Sequence, residues 1–588
     1  MKNFNKIKKC SSYFIGFIVL FLTMQSCEEY LEETNPNAVS ADVYWSSLIE
    51  SNSNLTSVYG SMLSMFVLNL EVDAWRSDIG FPKSRRTPFG SGRPYYQKGF
   101  TDASNAIGQQ WDALYQVAFR TNQVITGLNG MDEDLKSQEE WSHQMGQARL
   151  FRGLAHMWLN ATYNNGNVII RDFIPGTSDE FSVSVSSSDE VIAFFREDLK
   201  YAYDNLPAQF ENKTRVDKGF AAALLGKSYL HTEEYTQAMV YLNDVIDNSE
   251  YGFELLEGDD VGLLFTHAGD FNSESIFEIN YSDKHQVEDS NWDEESFFHR
   301  WARYTAPGGG RYGGRTDFVP TAWLTYEYSN EQMDSQDPRN YVDDGSGGVR
   351  FRSVPLRCAQ FCQVVNDEES TYYGDTPANS AYAFGATIFS HFKKYTNHDI
   401  VAGEPETLVT GWKSHKNVVV QRLAEVYLNL AECQIKTGDL AGALENINTI
   451  RQRWGLVSLG LSDGSAHDFD EITYTAETLM DHLMYIEYPL ELAAEGCNTR
   501  TTDLRRWGVA KERFTELATR VYHLANYTSN DGVTRNLSLI QEGPHPTAVP
   551  SITNTVMEHR EAAENYVEAL HDYFPLPLSE TLNNQNAN

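Results

Sequence analysis

The 588-residue chain carries 82 acidic against 46 basic side chains, a formal net charge of −36 at pH 7. That excess argues against nucleic acid as a partner and against a polybasic membrane face, since both depend on positive charge. Past the first thirty residues no segment offers the roughly 20 consecutive apolar residues of a membrane helix.

Lys2, Lys6, Lys8 and Lys9 form a positive start, and residues 13–24 form an apolar run too short to span a bilayer. Together they predict a secretory signal peptide over residues 1–26, whose removal takes the net charge to −40. The run ends Met24-Gln25-Ser26-Cys27, which resembles the bacterial lipobox and implies a Cys27 that is acylated and becomes the mature N-terminus. Plain cleavage with Cys27 incidental is the alternative. Glu28-Glu29-Tyr30-Leu31-Glu32-Glu33 then resembles the surface-export signal of Bacteroidetes lipoproteins. It implies a lipid-anchored protein of the outer membrane, facing outward at the cell surface.

Helical periodicity dominates both ends of the chain. Helices are predicted over 102–129, 138–162 and 188–205, the last with Ser188 as N-cap. Over 219–246, Gly226, Tyr229, Ala238, Leu242 and Val245 fall at the offsets of a tetratricopeptide repeat, where small residues let two antiparallel helices approach. A degenerate second copy is predicted over 419–450, around the turn Thr437-Gly438-Asp439. Residues 255–411 are instead rich in Gly, Tyr, Trp and Asp with weak periodicity, as loops on a rigid scaffold are. The reading is an all-α fold: an N-terminal helical part (27–250), a loop-rich insertion (251–412) and a C-terminal helical part (413–588), with no linker dividing them. Cys433 and Cys497 read as buried thiols. Cys358 and Cys362 can pair or stay free, and neither has neighbours at zinc-ligand spacing. Glu257-Gly258-Asp259-Asp260 is acid-rich enough to hold calcium, though it lacks the spacing of a known loop; no other metal and no cofactor is expected.

Several blocks follow one another across nearly the whole chain: Asp42-Val43-Tyr44-Trp45; Gln147-Ala148-Arg149-Leu150-Phe151-Arg152-Gly153; Asp198-Leu199 and Leu206-Pro207; Arg422-Leu423-Ala424-Glu425; Asp503-Leu504-Arg505-Arg506-Trp507-Gly508; and Tyr573-Phe574-Pro575-Leu576-Pro577. In that order they resemble the SusD/RagB family of outer-membrane lipoproteins. The resemblance implies a tetratricopeptide-like helix-pair scaffold in one SusD-like unit over 27–588. It also implies a binding protein without catalysis, which captures polysaccharide or oligosaccharide and hands it to a TonB-dependent transporter of the SusC type. Capture of peptide or glycopeptide, as by RagB-like relatives, is the alternative. Tyr488 and Asn498 depart from the family's usual Arg, which puts local salt bridges in doubt.

A sugar ring has apolar C–H faces and a belt of hydroxyls, so its site wants aromatic platforms flanked by polar side chains. Trp75 with Arg76 and Asp78 supplies such a set, unless Trp75 belongs to the core. Residues 82–98 then carry five basic side chains and no acid, among them Arg85 and Arg86 beside Tyr95 and Tyr96. A second basic, aromatic stretch follows Trp292: it holds Trp301, then Arg311, Tyr312 and Arg315 among glycines that would let backbone approach a ligand. Arginine forks grip carboxylate or sulfate, so convergence of the two stretches points to an anionic glycan; the alternative is pairing with the protein's own acids or docking on the transporter. Asp293 with Glu295, or Asp259 with Asp260, are the acid pairs a glycosidase would need, but no nucleophile elbow or His-Glu-x-x-His accompanies them.

Overall fold

The computed structural model describes residues 45–82, 90–282, 298–308, 312–380, 384, 388–399, 413–546 and 555–587. The signal segment, Cys27, residues 42–44, Arg85, Arg86, Trp292, Asp293, Glu295 and Arg311 lie outside the described residues. Long helices form the scaffold, with Asn105–Asn129 packed on Glu139–Thr162 and the latter on Ser188–Asn205. The last has the predicted bounds but a different cap. Its N-cap is Ser187, not Ser188, because Glu190 lies three residues on and closes a reciprocal capping box with it.

The pairing of Glu139–Thr162 with Ser188–Asn205 explains the Arg149-Leu150-Phe151-Arg152-Gly153 block. A Cβ on Gly153 would lie 3.0 Å from the Phe195 carbonyl oxygen, so glycine sets the helix separation. At that approach the buried Asp198 takes Arg149 Nε at 2.6 Å and Arg152 Nε at 2.7 Å. The two predicted repeats are helix pairs, Lys218–His231 with Tyr235–Asp247 and Leu423–Thr437 with Leu440–Arg453. A Cβ on Gly226 would meet Leu242 at 2.7 Å, the close approach expected of that position. In the second pair Gly438 takes the left-handed conformation (φ 90°) that ends a helix, and Asp439 caps the next by accepting from Gly442 N–H at 3.0 Å.

The predicted start of the second repeat needs correction. Residues Val418–Arg422 form a strand, antiparallel to Ser275–Ile279, and the helix begins only at Leu423. Three consecutive β-branched valines favour the strand, and its pairing ties the loop-rich region to the C-terminal helices. The remaining sheets are two- or three-stranded, the largest having Tyr522–Thr528 between Thr534–Glu542 and Thr555–Val556.

Beneath this junction lies a buried ion network. Arg422 pairs with Glu495 at 2.7 Å, Glu274 at 2.8 Å and Glu491 at 2.7 Å; Arg453 joins Glu274 and Glu491, and Trp454 Nε1 donates to Glu491 at 2.9 Å. Burial alone would raise the Glu491 carboxyl, but Arg453, Arg422 and Arg357 bring it down to about 2. At Tyr488 and Asn498, where the resemblance leads one to expect Arg, hydrogen bonds stand in for ion pairs, and the Tyr488 hydroxyl also lies 3.2 Å from the Glu432 carboxylate. Tyr488 Oη donates to Asn429 Oδ1 at 2.7 Å, and Asn498 Nδ2 donates to Gln110 Oε1 at 3.1 Å and Thr162 Oγ1 at 3.0 Å. Cys358, Cys362, Cys433 and Cys497 are buried and, among the described residues, in no disulfide. Among the described residues no group of three or more His, Cys, Asp or Glu is placed to hold a metal ion.

Candidate functional site

The first predicted cluster is interior. Trp75 is 2 % exposed on the Leu70–Arg76 helix, with its ring stacked 6.4 Å from Tyr95. Arg76 is buried, its guanidinium 3.8 Å over the Phe574 ring, and donates to the His571 carbonyl at 3.2 Å. Asp78 is fully buried between Arg500 Nε at 2.7 Å and Arg513 Nε at 3.0 Å. Burial would raise its carboxyl, but those two cations hold it well below the usual range. Tyr95 and Tyr96 are also buried, Tyr96 Oη accepting from His559 N–H at 2.6 Å. The expected stacking platform is therefore corrected to a packed, charge-matched piece of core. The Leu70–Arg76 helix is buried along its whole length, and Glu71, Asp73 and Arg76 find hydrogen-bond partners inside, to Trp301, Thr501 and the His571 carbonyl.

The second cluster has one buried side and one open side. Trp301, on the short helix Trp301–Thr305, is fully buried and donates from Nε1 to Glu71 at 3.2 Å. Burial lifts Glu71 to about 7, although the indole bond opposes the rise. Strand Gly80–Pro82 pairs antiparallel with Phe318–Pro320, with Pro82 opposite Phe318. The chain that enters the first basic stretch and the chain that leaves the second thus meet at their bases.

Between Trp301 and Phe318 the chain folds back on itself: Arg315 N–H donates to the Arg303 carbonyl and Asp317 N–H to that of Tyr304, both at 2.6 Å. A Cβ on Gly314 would lie 2.1 Å from the Ala306 carbonyl oxygen. The close approach this glycine permits is to the loop's own backbone, not to a ligand as its pattern suggests. Arg315 is half exposed and pairs with Asp317 at 3.0 Å; Arg303 and Tyr304 are half-buried beside it. Burial pushes the Tyr304 phenol to about 12, with Glu71 and Asp317 adding and Arg303 and Arg315 opposing, which puts these groups within electrostatic reach of one another.

Neighbouring segments brace this turn. His299 and Ser414 exchange backbone bonds at 3.0 and 3.1 Å, and Lys413 lies 4.1 Å over the Phe298 ring. Tyr312 is buried, not a rim residue, and packs edge-on to Tyr373 with centroids 4.9 Å apart. Tyr373 meets Tyr372 in the same way at 4.8 Å, and His391 Nδ1 lies 3.1 Å from the Thr305 carbonyl. Sequence reasoning missed Tyr372, Tyr373, His391 and Lys413; the signal present was the Tyr-Tyr-Gly-Asp run at 372–375 within a Gly- and Tyr-rich region. What remains open at this edge is cationic and aromatic: Arg303, Tyr304 and Arg315, held on a rigid base. Such a set can stack on a sugar face and hydrogen-bond hydroxyl, carboxylate or sulfate oxygens.

Comparison with known proteins gives matches along the whole described body. A model of the SusD family matches residues 273–587, and one described as starch-binding associating with outer membrane matches residues 29–230. SusD-like protein P25 of Formosa agariphila is 22% identical over 535 residues, 86% of this chain and 92% of that protein. Among solved structures, a SusD superfamily protein from Bacteroides vulgatus has a TM-score of 0.68 at 20% identity, covering 93% of this chain and 99% of its own. A laminarin-binding SusD-like protein has a TM-score of 0.61 at 19% identity, covering 92% and 98%.

Proposed function

The chain belongs to the SusD family, and from that premise we propose that it is a cell-surface glycan-binding lipoprotein, anchored through Cys27, without catalytic activity. It captures extracellular polysaccharide or oligosaccharide and delivers it to a SusC-like TonB-dependent transporter. The ligand face is the edge carrying Arg303, Tyr304 and Arg315. The observation that supports this placement is the contrast in exposure: Trp75, Arg76, Asp78 and Trp301 are consumed by internal packing, whereas Arg315 keeps half its surface in solvent beside a phenol ring. Arg85, Arg86 and Arg311 belong to the same two stretches, and Trp292 precedes the second; all four are proposed as further contacts.

The glycan proposed is anionic, a uronic-acid or sulfated polymer, because a body of strong negative charge repels polyanions except where cations gather. One fold neighbour is named for laminarin, so neutral glucans belong in the same test. Affinity gels containing alginate, pectin, laminarin or levan, run beside a peptide array, separate the readings. Retardation by alginate or pectin that weakens with added salt is the expected result; binding to peptides alone overturns glycan capture, and salt-insensitive binding to laminarin or levan overturns the anionic assignment. New reducing ends on incubation with the bound glycan would overturn the absence of catalysis.

A further inference from the structure

A second cavity lies in the helical scaffold and takes none of its lining from the Arg303–Arg315 edge. Its volume is about 520 Å³, within the range of about 300–1,000 Å³ usual for small-molecule sites. The Glu139–Thr162, Ser188–Asn205, Lys218–His231 and Thr499–Arg506 helices line it together with Asp572 and Tyr573.

The charge here is unusual for this chain. Four cations surround His231: Arg506, Lys227, Arg505 and Arg196. Three are matched to acids, Arg506 to Glu432 and Asp503, Lys227 to Glu425, and Arg196 to Glu234. Among the described residues Arg505 makes no ion pair, although the Asp572 and Asp503 carboxylates act on it electrostatically. Its Nη1 donates to the carbonyl oxygens of Ala161 at 2.6 Å and Asp572 at 3.4 Å, and its guanidinium stacks 3.7 Å from the Tyr573 ring centre. That leaves Nε and Nη2 as donors without a partner among the described residues, on a side chain already held in place. Of the acids at the wall, Asp572 is bonded by the Tyr566 hydroxyl and Glu233 is exposed. His231 has no hydrogen-bond partner among the described residues; burial, and then the surrounding cations, hold it well below its ordinary value, so it faces the cavity as a neutral ring with one donor and one acceptor. Ser188 Oγ accepts from Asn160 and keeps its own hydrogen to donate, and Ile192 with Phe195 supplies an apolar wall.

We propose that this cavity binds a small carboxylated, polyhydroxylated ligand, an acidic monosaccharide or disaccharide, with its carboxylate on Arg505 and its hydroxyls on His231, Ser188 and Thr502. A preorganised guanidinium with two unused donors in a partly desolvated cavity fits a carboxylate, and the neutral hydroxyl and imidazole groups around it fit a sugar.

Galacturonate, galactose and inorganic sulfate are titrated by calorimetry into the folded protein and into Arg505→Gln, Ile192→Trp and Arg315→Ala variants whose melting is recorded alongside. Ile192→Trp fills the cavity without touching Arg505, so it decides the matter if Arg505→Gln does not fold. The expected result is galacturonate binding that falls at least tenfold in Arg505→Gln and Ile192→Trp, with galactose at least tenfold weaker than galacturonate. Absence of galacturonate binding, equal binding of galactose, binding untouched by Ile192→Trp, or sulfate binding as tight as galacturonate overturns the proposal. Because Arg315→Ala alters only the loop edge, loss in that variant alone would reject this cavity while leaving glycan capture at the edge intact.

Discussion

Arginines do opposite work in two parts of this molecule. Beneath the Val418–Arg422 strand, Arg422 and Arg453 are almost wholly enclosed and each bonds two or more glutamates. At the Arg303–Arg315 edge, Arg315 meets a single carboxylate and stays half in water. In the first case the charge is consumed by the fold, and its removal leaves several buried glutamates without a partner. In the second, solvent already screens the pair, so it adds little to stability and is available to an incoming anion.

The largest effect that can break this contrast is at Glu491. Glu491→Gln leaves Arg422 and Arg453 short of a buried partner and should cost about 3–5 kcal/mol, read as a lower urea midpoint; a loss under 1 kcal/mol would mean that the network carries little of the fold. Glu71 comes next. Its folded value lies above the ordinary one, so its contribution is full below about pH 4.5 and is lost as pH rises through about 7. Over that window about 3 kcal/mol of stability should disappear, and Glu71→Gln, which keeps an acceptor for Trp301, should flatten the slope. A melting profile with the same pH slope in both proteins would reject the assignment. Gly226→Val forces atoms into Leu242 and should cost about 1–3 kcal/mol by denaturation. Arg315→Ala should move stability by no more than about 0.5 kcal/mol, and a larger loss would place Arg315 with the structural arginines.

Much of the scaffold was legible because its signals are local: period, caps and small residues at Gly153, Gly226 and Gly438. The strand at Val418–Arg422 was not, since its hydrogen bonds are to residues more than a hundred positions away, and only the three valines hinted at it. The proposed ligand edge was half legible. The two basic stretches stood out against the chain's acidity, yet nothing local reveals that Trp75, Arg76 and Asp78 find their partners at Tyr95, Phe574, Arg500 and Arg513. An aromatic beside an arginine and an aspartate reads the same in a ligand platform and in a charge-matched core; long-range partners decide between them. Gly314 teaches the same lesson, because a loop glycine admits whichever backbone comes closest.

Capture of glycan by the loop edge, with the helical scaffold as its support, is tested most directly by titrating alginate and laminarin into the wild type, Tyr304→Ala and Arg315→Ala at low and high salt. The expected result is alginate binding that weakens roughly tenfold or more in each variant and declines with salt in the wild type, while all three proteins melt together. Alginate binding unchanged in both variants would contradict the placement of the site.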